Sequence, residues 1–430
     1  MRSRSLLVLL AALLMKAPVA AFAGTTIFVI NYDLPGTGFN DPTPAEPIGG
    51  NSGTTIGEQR LIAFQAAADI WGAHLDSVPV IRVAARFLPL DCSATSAVLA
   101  SSGTTEIWRG SLFPFNDTWY HFALANKLYG ATIDPTTPEI VSYFNSSLGQ
   151  ANCLTGLYFY YGLDGAHGTN LDLVTVVLHE LAHGLGFSNV TNAATGVSMG
   201  GYPSLWDHFT LDLSSNRMWD SMTNAERAAS ALNTRRLAWT GAHVTASTGS
   251  VLSAGTPRLA VTAPAAIAGD YLVGAADFGP PLGSPGVTGE LMPVVDSGTT
   301  GMACAPLNAA NALAVNGKVA LIDRGTCAFT TKVKNAQDAG AVAAIIVEGA
   351  PGSPPATMSG IDPAIAIPSV RITQANGDML KAALRHRSRV HSGVFVNLAV
   401  NPAQYLGADA FGRMLLFTPD PFQSGSSVSH

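Results

Sequence analysis

The sequence predicts an α+β chain into which a separate α/β domain is inserted. Three observations predict it. After an apolar leader the chain reads strand, helix, strand. A later apolar helix carries His179, Glu180 and His183 in one turn. From about Ala260 the pattern changes to strand–helix alternation, the kind that builds a parallel sheet.

Length and composition set the bounds. The chain has 430 residues, room for two or three domains. Charged residues are 12% and the net charge is −6. That charged share is about half the usual one, and no basic stripe offers a nucleic-acid footprint. The 43 glycines and 26 prolines point to a loop-rich, β-containing exported protein. Met1-Arg-Ser-Arg4, the apolar run Leu6–Leu14 and Ala21-Phe22-Ala23 read as a signal peptide over 1–23. The expected location is secreted, extracellular or periplasmic, with no membrane association after cleavage.

The elements follow in order. Thr25–Asn31 reads as a strand. A Gly/Pro/Asn-rich loop runs from Pro35 to Gly57. Glu58–Leu75 has helical spacing, with Leu61, Ile62, Phe64, Ala68, Ile70, Trp71 and Leu75 in one stripe. Val80–Leu88 is a second strand, Trp119–Tyr129 a helix, and Glu139–Asn145 and Gly156–Tyr161 are strands. Gly162–Gly168 is a turn-rich loop in which Asp164 and His167 read as a solvated turn, with a structural ion as the alternative. Asn189–Gly201 is a loop, and Thr223–Leu232 a short helix with an N-cap. Lys318–Cys327, Ala341–Val347 and Ala366–Thr373 are strands, alternating with helices over Thr330–Ala339 and Gln374–Leu384.

Four cysteines in an exported chain favour disulfides. Three pairings are possible. Cys92–Cys153 with Cys304–Cys327 is expected, because it places one bridge in each domain. With no C-x-x-C pair, a cysteine metal site is not expected.

The chemistry is concentrated in Val174–Phe187. In H-E-x-x-H, His179 and His183 stand at i and i+4 on one helix face and can aim two imidazoles at one ion. Glu180 reaches the neighbouring space, where water with a pKa lowered to about 7 would lose its proton to it. A charged residue in so apolar a helix is costly without a role. Gly184 and Gly186 then turn the chain.

Two resemblances rest on these residues. Gly317–Cys327, Asn335–Gly340 running into Val342–Val347, and Ile367–Ile372 resemble the protease-associated (PA) domain, over roughly 262–398. This implies a non-catalytic lid or substrate-binding module. His179, Glu180, His183 and Gly186 resemble the metzincin zinc proteases, whose motif is H-E-x-x-H-x-x-G-x-x-H/D. Asn189 stands at the third-ligand position and is a poor zinc ligand. Leishmanolysin-like zinc proteases share H-E-x-x-H-x-x-G-F, here ending in Gly186-Phe187, and take their third histidine from a Gly-Ser-His segment far downstream. Gly425–His430 resembles that segment.

The resemblance therefore implies a zincin-like metalloprotease domain over 24–261, an inserted α/β PA domain over 262–398, and a return over 399–430 to a protease domain truncated after His430. The implied ligands of Zn2+ are His179, His183 and His430, with Asp207 as the alternative third ligand, and Glu226 a more remote one. Met199 is a candidate for the methionine turn, against a surface-loop reading. Glu180 is the general base. The expected activity is zinc-dependent endopeptidase cleavage of protein or peptide substrates. The alternative is a catalytically impaired peptide- or protein-binding protein that keeps its PA domain. A serine or cysteine hydrolase is not expected, and the cysteines read as paired.

Overall fold

A computed structural model describes residues 24–295 and 301–430. The predicted signal peptide, 1–23, lies outside the described residues. Among those residues no helix is long and apolar enough to cross a membrane. They form two compact units, 24–108 with 121–186, and 109–120 with 187–430.

The first unit is built on a four-stranded sheet. Its elements are β1 (Ile27–Asn31), α1 (Ile56–His74), β2 (Ile81–Leu88), β3 (Ala100–Thr104), α2 (Phe122–Tyr129), β4 (Ile140–Asn145) and α3 (Leu173–Leu185). The strand order is β1-β2-β4-β3. β1, β2 and β4 run parallel and β3 closes one edge antiparallel to β4, with Ser102 opposite Ser142. Helix α1 starts at a capping box, in which Thr55 and Glu58 satisfy each other's amides. Its buried face (Ala63, Phe64, Ala67, Ala68) covers Val83, Ala85 and Phe144 on the sheet. Phe39, Phe64, Phe87 and Phe144 meet mostly edge-on in this core. Arg82 pairs with the fully buried Glu139 at 2.7 Å.

The second unit contains a small three-stranded sheet and a large one. The small sheet has β5 (Thr210–Asp212) between β6 (Arg217–Met218) and β7 (Leu237–Trp239), beside α4 (Asn224–Ser230). The large sheet follows α5 (Ala242–Val251). Its strands are β8 (Ala254–Ala263), β9 (Gly269–Tyr271), β10 (Gly274–Ala275), β11 (Val287–Pro293), β12 (Val319–Asp323), β13 (Ala343–Val347), β14 (Ser369–Ile372) and β15 (Phe395–Tyr405), in the order β9-β8-β15-β11-β12-β13-β14-β10. β11 to β14 are parallel, and helices α6 (Ala309–Val315), α7 (Phe329–Asp338) and α8 (Gln374–Ala383) connect or follow them. The strand residues show why. On β12, Val319 and Leu321 enter one core while Ala320 and Ile322 enter the opposite one. A strand buried on both faces must be apolar throughout.

Several expectations need adjusting. The helix foreseen over Trp119–Tyr129 begins only at Phe122, and of Gly156–Tyr161 only Phe159–Tyr160 is strand. β3, with the sequence Ala-Ser-Ser-Gly-Thr, was not foreseen, since an edge strand of small polar residues has no apolar alternation to betray it. The large sheet also runs past the 262–398 limits. β8 begins at Ala254, β15 ends at Tyr405, and the two pair along their length.

After β15 the chain returns to the small sheet. The Leu416 amide donates to the Leu237 carbonyl at 3.0 Å and that of Trp239 to Met414 at 2.8 Å. Leu416 and Val428 share a core with Trp206, Trp219 and Leu237.

Candidate active site

Helix α3 is fixed at both ends and along one side. Asp172 caps its start, accepting from the Thr175 amide at 3.2 Å. Gly186, with φ 128°, ends it, its amide reaching the carbonyls of Ala182 and His183. Val177 and Leu181 are buried in the core, and the Trp71 indole donates to the Leu178 carbonyl at 2.9 Å. Gly184 has a packing role: a Cβ there would stand 2.4 Å from the Cγ2 of Ile140 on β4. Only a bare backbone lets the helix lie this close to the sheet.

That placement brings His179, Glu180 and His183 together. The Nε2 atoms of His179 and His183 are 3.2 Å apart, their rings nearly perpendicular. His179 is exposed and His183 half-buried. Glu180 is only 8% exposed. Burial pushes its carboxyl up to about 7, against a hydrogen bond from the Ser102 amide of β3. The edge strand thus supports the glutamate, a contact that spacing alone could not reveal.

His121 was also missed. It sits at the N-cap of α2, buried, and burial together with the nearby His183 charge lowers its pKa to about 4. Its ring lies close to Gly186, whose added Cβ would be 4.0 Å from the His121 Cγ. At neutral pH it is an uncharged imidazole beside His183. No periodic motif marks it in the sequence.

In the first unit, Asp164 accepts from the Tyr160 hydroxyl at 2.7 Å and the Ala166 amide at 3.0 Å, and His167 Nδ1 lies 2.6 Å from the Asn170 carbonyl oxygen. Both are exposed turn residues. In the second unit, Asp207 is buried. Its Oδ2 accepts from Thr191 Oγ1 at 2.5 Å and the Ser204 amide at 2.7 Å, completing a capping box. Burial raises its pKa, and those hydrogen bonds and Arg227 oppose the rise. His208 bridges Thr118 at 2.9 Å and Asp220 at 2.7 Å and stacks on Phe115. Asn189 Oδ1 caps the Thr191 amide at 2.9 Å. Met199 is exposed, and Glu226 is a capping residue paired with Arg217.

His430 is partly buried in a closed C-terminal turn. The Val428 amide donates to the Phe417 carbonyl at 2.8 Å and the Phe417 amide to His430 at 2.5 Å. Its Nδ1 is 2.9 Å from the Ser426 carbonyl oxygen. The cysteines pair as expected, Cys92 with Cys153 and Cys304 with Cys327.

Residues 287–380 match the PA domain family. A 97-residue stretch is 39% identical to the PRADC1-like protein of Drosophila melanogaster, covering 21% of this chain and 48% of that one. A 64-residue stretch is 44% identical to Leucine aminopeptidase 2 of Arthroderma otae, covering 15% of this chain and 13% of that protein. The chain thus spans about half or less of these relatives. Among solved structures, an aminopeptidase from Aneurinibacillus sp. strain AM-1 is similar with a TM-score of 0.27 and 28% identity, over 35% of this chain and 31% of that one. The family match shows that the chain carries a PA domain over 287–380.

Proposed function

We propose that the chain is a secreted zinc endopeptidase of the leishmanolysin-like kind, with its PA domain inserted between the second and third metal ligands as a lid or substrate-binding module. The observation that carries this reading is the pair of imidazole nitrogens 3.2 Å apart beside a buried glutamate. Two nitrogens bound at about 2.0–2.1 Å to one tetrahedral zinc stand roughly 3.3–3.4 Å apart, so the pair fits that ion. The return of 414–416 to 237–239 supports the insertion.

His179, His183 and His430 would hold the metal, each offering one imidazole nitrogen. With Nδ1 donating to Ser426, His430 presents Nε2 as its ligand atom, the kind of second hydrogen bond that orients metal-binding histidines. Asp207 has one carboxylate oxygen, Oδ2, engaged in its own capping box, which favours His430 over it, while its Oδ1 has no hydrogen-bond partner among the described residues. Held by these residues, zinc would supply Lewis acidity for polarising a substrate carbonyl and lowering the pKa of water. Glu180 takes the proton of the attacking water and delivers it to the leaving amine. A carboxyl pushed towards neutrality suits both halves of that exchange, and the Ser102 amide fixes its orientation. The neutral His121 adds no charge that would repel a cation from His183.

The test is Glu180→Gln in protein whose fold and zinc content match wild type. Casein cleavage should fall about 10²–10⁴-fold, the usual worth of a general base. Cleavage at the wild-type rate would overturn the mechanism. Less than one tightly bound zinc per folded chain would favour a peptide-binding protein instead.

A further inference from the structure

The second unit holds a cavity of about 480 Å³ made of other residues than those above. Its walls come from the small sheet, from strands β8 and β9, and from the segment that follows β15. Four arginines line it. Arg258 is paired with Asp270 at 3.1 Å and Arg413 with Asp409 at 2.7 Å. Arg235 and Arg236 line the same cavity, and no carboxylate among the described residues is paired with either. The cavity therefore carries an excess of two positive charges.

Arg235 is held there at a cost. Its backbone is left-handed, with φ 58°, a region unfavourable to a side chain of this size. Its amide accepts no freedom: it donates to Thr418 Oγ1 at 3.1 Å, and that hydroxyl donates to the Asn233 carbonyl at 3.0 Å. Burial lowers the Arg235 pKa, yet a guanidinium remains charged at any ordinary pH. Thr234 Oγ1 and Arg258 Nε, both on lining residues, are buried without a hydrogen-bond partner among the described residues. Buried cations and polar atoms are normally paired. Tyr271 and Leu272 add an apolar wall.

We propose that this cavity binds a carboxylate-bearing organic ligand, such as an acidic peptide side chain, with Arg235 and Arg236 supplying the guanidinium fork. Planar paired N–H donors match a carboxylate's two oxygens, and the apolar wall takes the carbon skeleton. The inference does not depend on the metal site.

Calorimetric titration of the full chain at low salt tests it, with N-acetylglutamate, N-acetylglutaminamide (which carries no carboxylate) and inorganic phosphate as probes. N-acetylglutamate should bind saturably, N-acetylglutaminamide at least about tenfold more weakly, and any phosphate bound should be displaced by N-acetylglutamate. Arg236→Gln, at an exposed position, should weaken N-acetylglutamate by about tenfold or more, and so should Arg235→Gln where circular dichroism shows it folded. No saturable binding of N-acetylglutamate, affinity unchanged in folded Arg236→Gln, or phosphate that N-acetylglutamate cannot displace would each overturn the proposal.

Discussion

Each unit withdraws a functional or structural glutamate from solvent, and the two are treated in opposite ways. In the first, the buried Glu180 lies under edge strand β3 with one amide for support, and burial pushes it up to about 7. In the second, Glu290 on β11 is half-buried. There the Lys318 ammonium, the Gly393 and Ser392 amides and His391 outweigh burial and hold it at about 2. Desolvation alone raises a carboxyl, while cations and amides around it lower it. Glu290 is thus a structural anion tying β11 to the loop before β15. Glu180 is left poised to change protonation, as proton-transfer groups are.

The largest effect should come from the poised site. His183→Ala should abolish tight zinc binding and casein cleavage together, while Glu180→Gln should keep the zinc and lose only cleavage. Atomic absorption on both proteins separates the roles. If His183→Ala retained one tightly bound zinc per chain, the assignment of that imidazole would fail.

The structural glutamate should show itself in stability instead. Glu290→Gln leaves Lys318 facing a neutral partner. Removing one partner of a fully buried pair costs about 3–5 kcal/mol. Lys318 keeps 17% of its side chain exposed, so about 2–3 kcal/mol is expected in denaturant unfolding of the second unit. The pH dependence follows from the sign of the shift. The folded pKa lies below the ordinary 4.5, so this stabilisation is complete above about 4.5 and disappears as pH falls towards 2. Wild type should lose stability across that window, and the variant should lose less.

A third experiment probes how α3 is seated. Gly184→Ala places a methyl group against the fully buried Ile140. Overpacking of this kind costs about 1–3 kcal/mol, despite alanine's better helix propensity. Ile140→Ala should relieve the clash, so the double variant should lose less than the sum of the singles. Strict additivity would mean that the two residues do not set the helix-to-sheet distance.

The same contrast explains what the sequence disclosed. The His179 and His183 spacing is local, fixed by 3.6 residues per turn, and a helix is enough to make it legible. The PA domain was legible because strands such as Val319–Asp323 and Ala343–Val347 are buried on both faces and therefore continuously apolar. What was not legible depends on contacts distant in sequence and carried by unremarkable residues. Ser102 supports Glu180 from a strand with no apolar pattern, and His121 approaches His183 across 62 positions (183 − 121) with no motif. Lys318 and Glu290 look like any two surface charges until β11 and β12 pair. The large sheet reaches beyond 262–398 through β8 and β15, partly exposed strands whose pairing is visible only in the fold.

Asp207 gives the smallest expected effect and the sharpest distinction between the two kinds of acid. By sequence it rivals His430, since aspartate binds zinc well and a loop could carry it there. In the fold its Oδ2 takes hydrogen bonds from Thr191 and Ser204, and it closes the turn over Leu205–His208. Asp207→Asn retains one side-chain oxygen for those donors. The loss should be about 1 kcal/mol, the worth of a cap, with zinc stoichiometry and casein cleavage unchanged. His430→Ala, in contrast, should release the metal with little loss of stability, because the turn is held by the backbone bonds of Val428 and Phe417. Were Asp207→Asn to lose zinc while His430→Ala kept it, the third ligand would pass to the aspartate, and the downstream return of the chain would no longer be needed to complete the metal site.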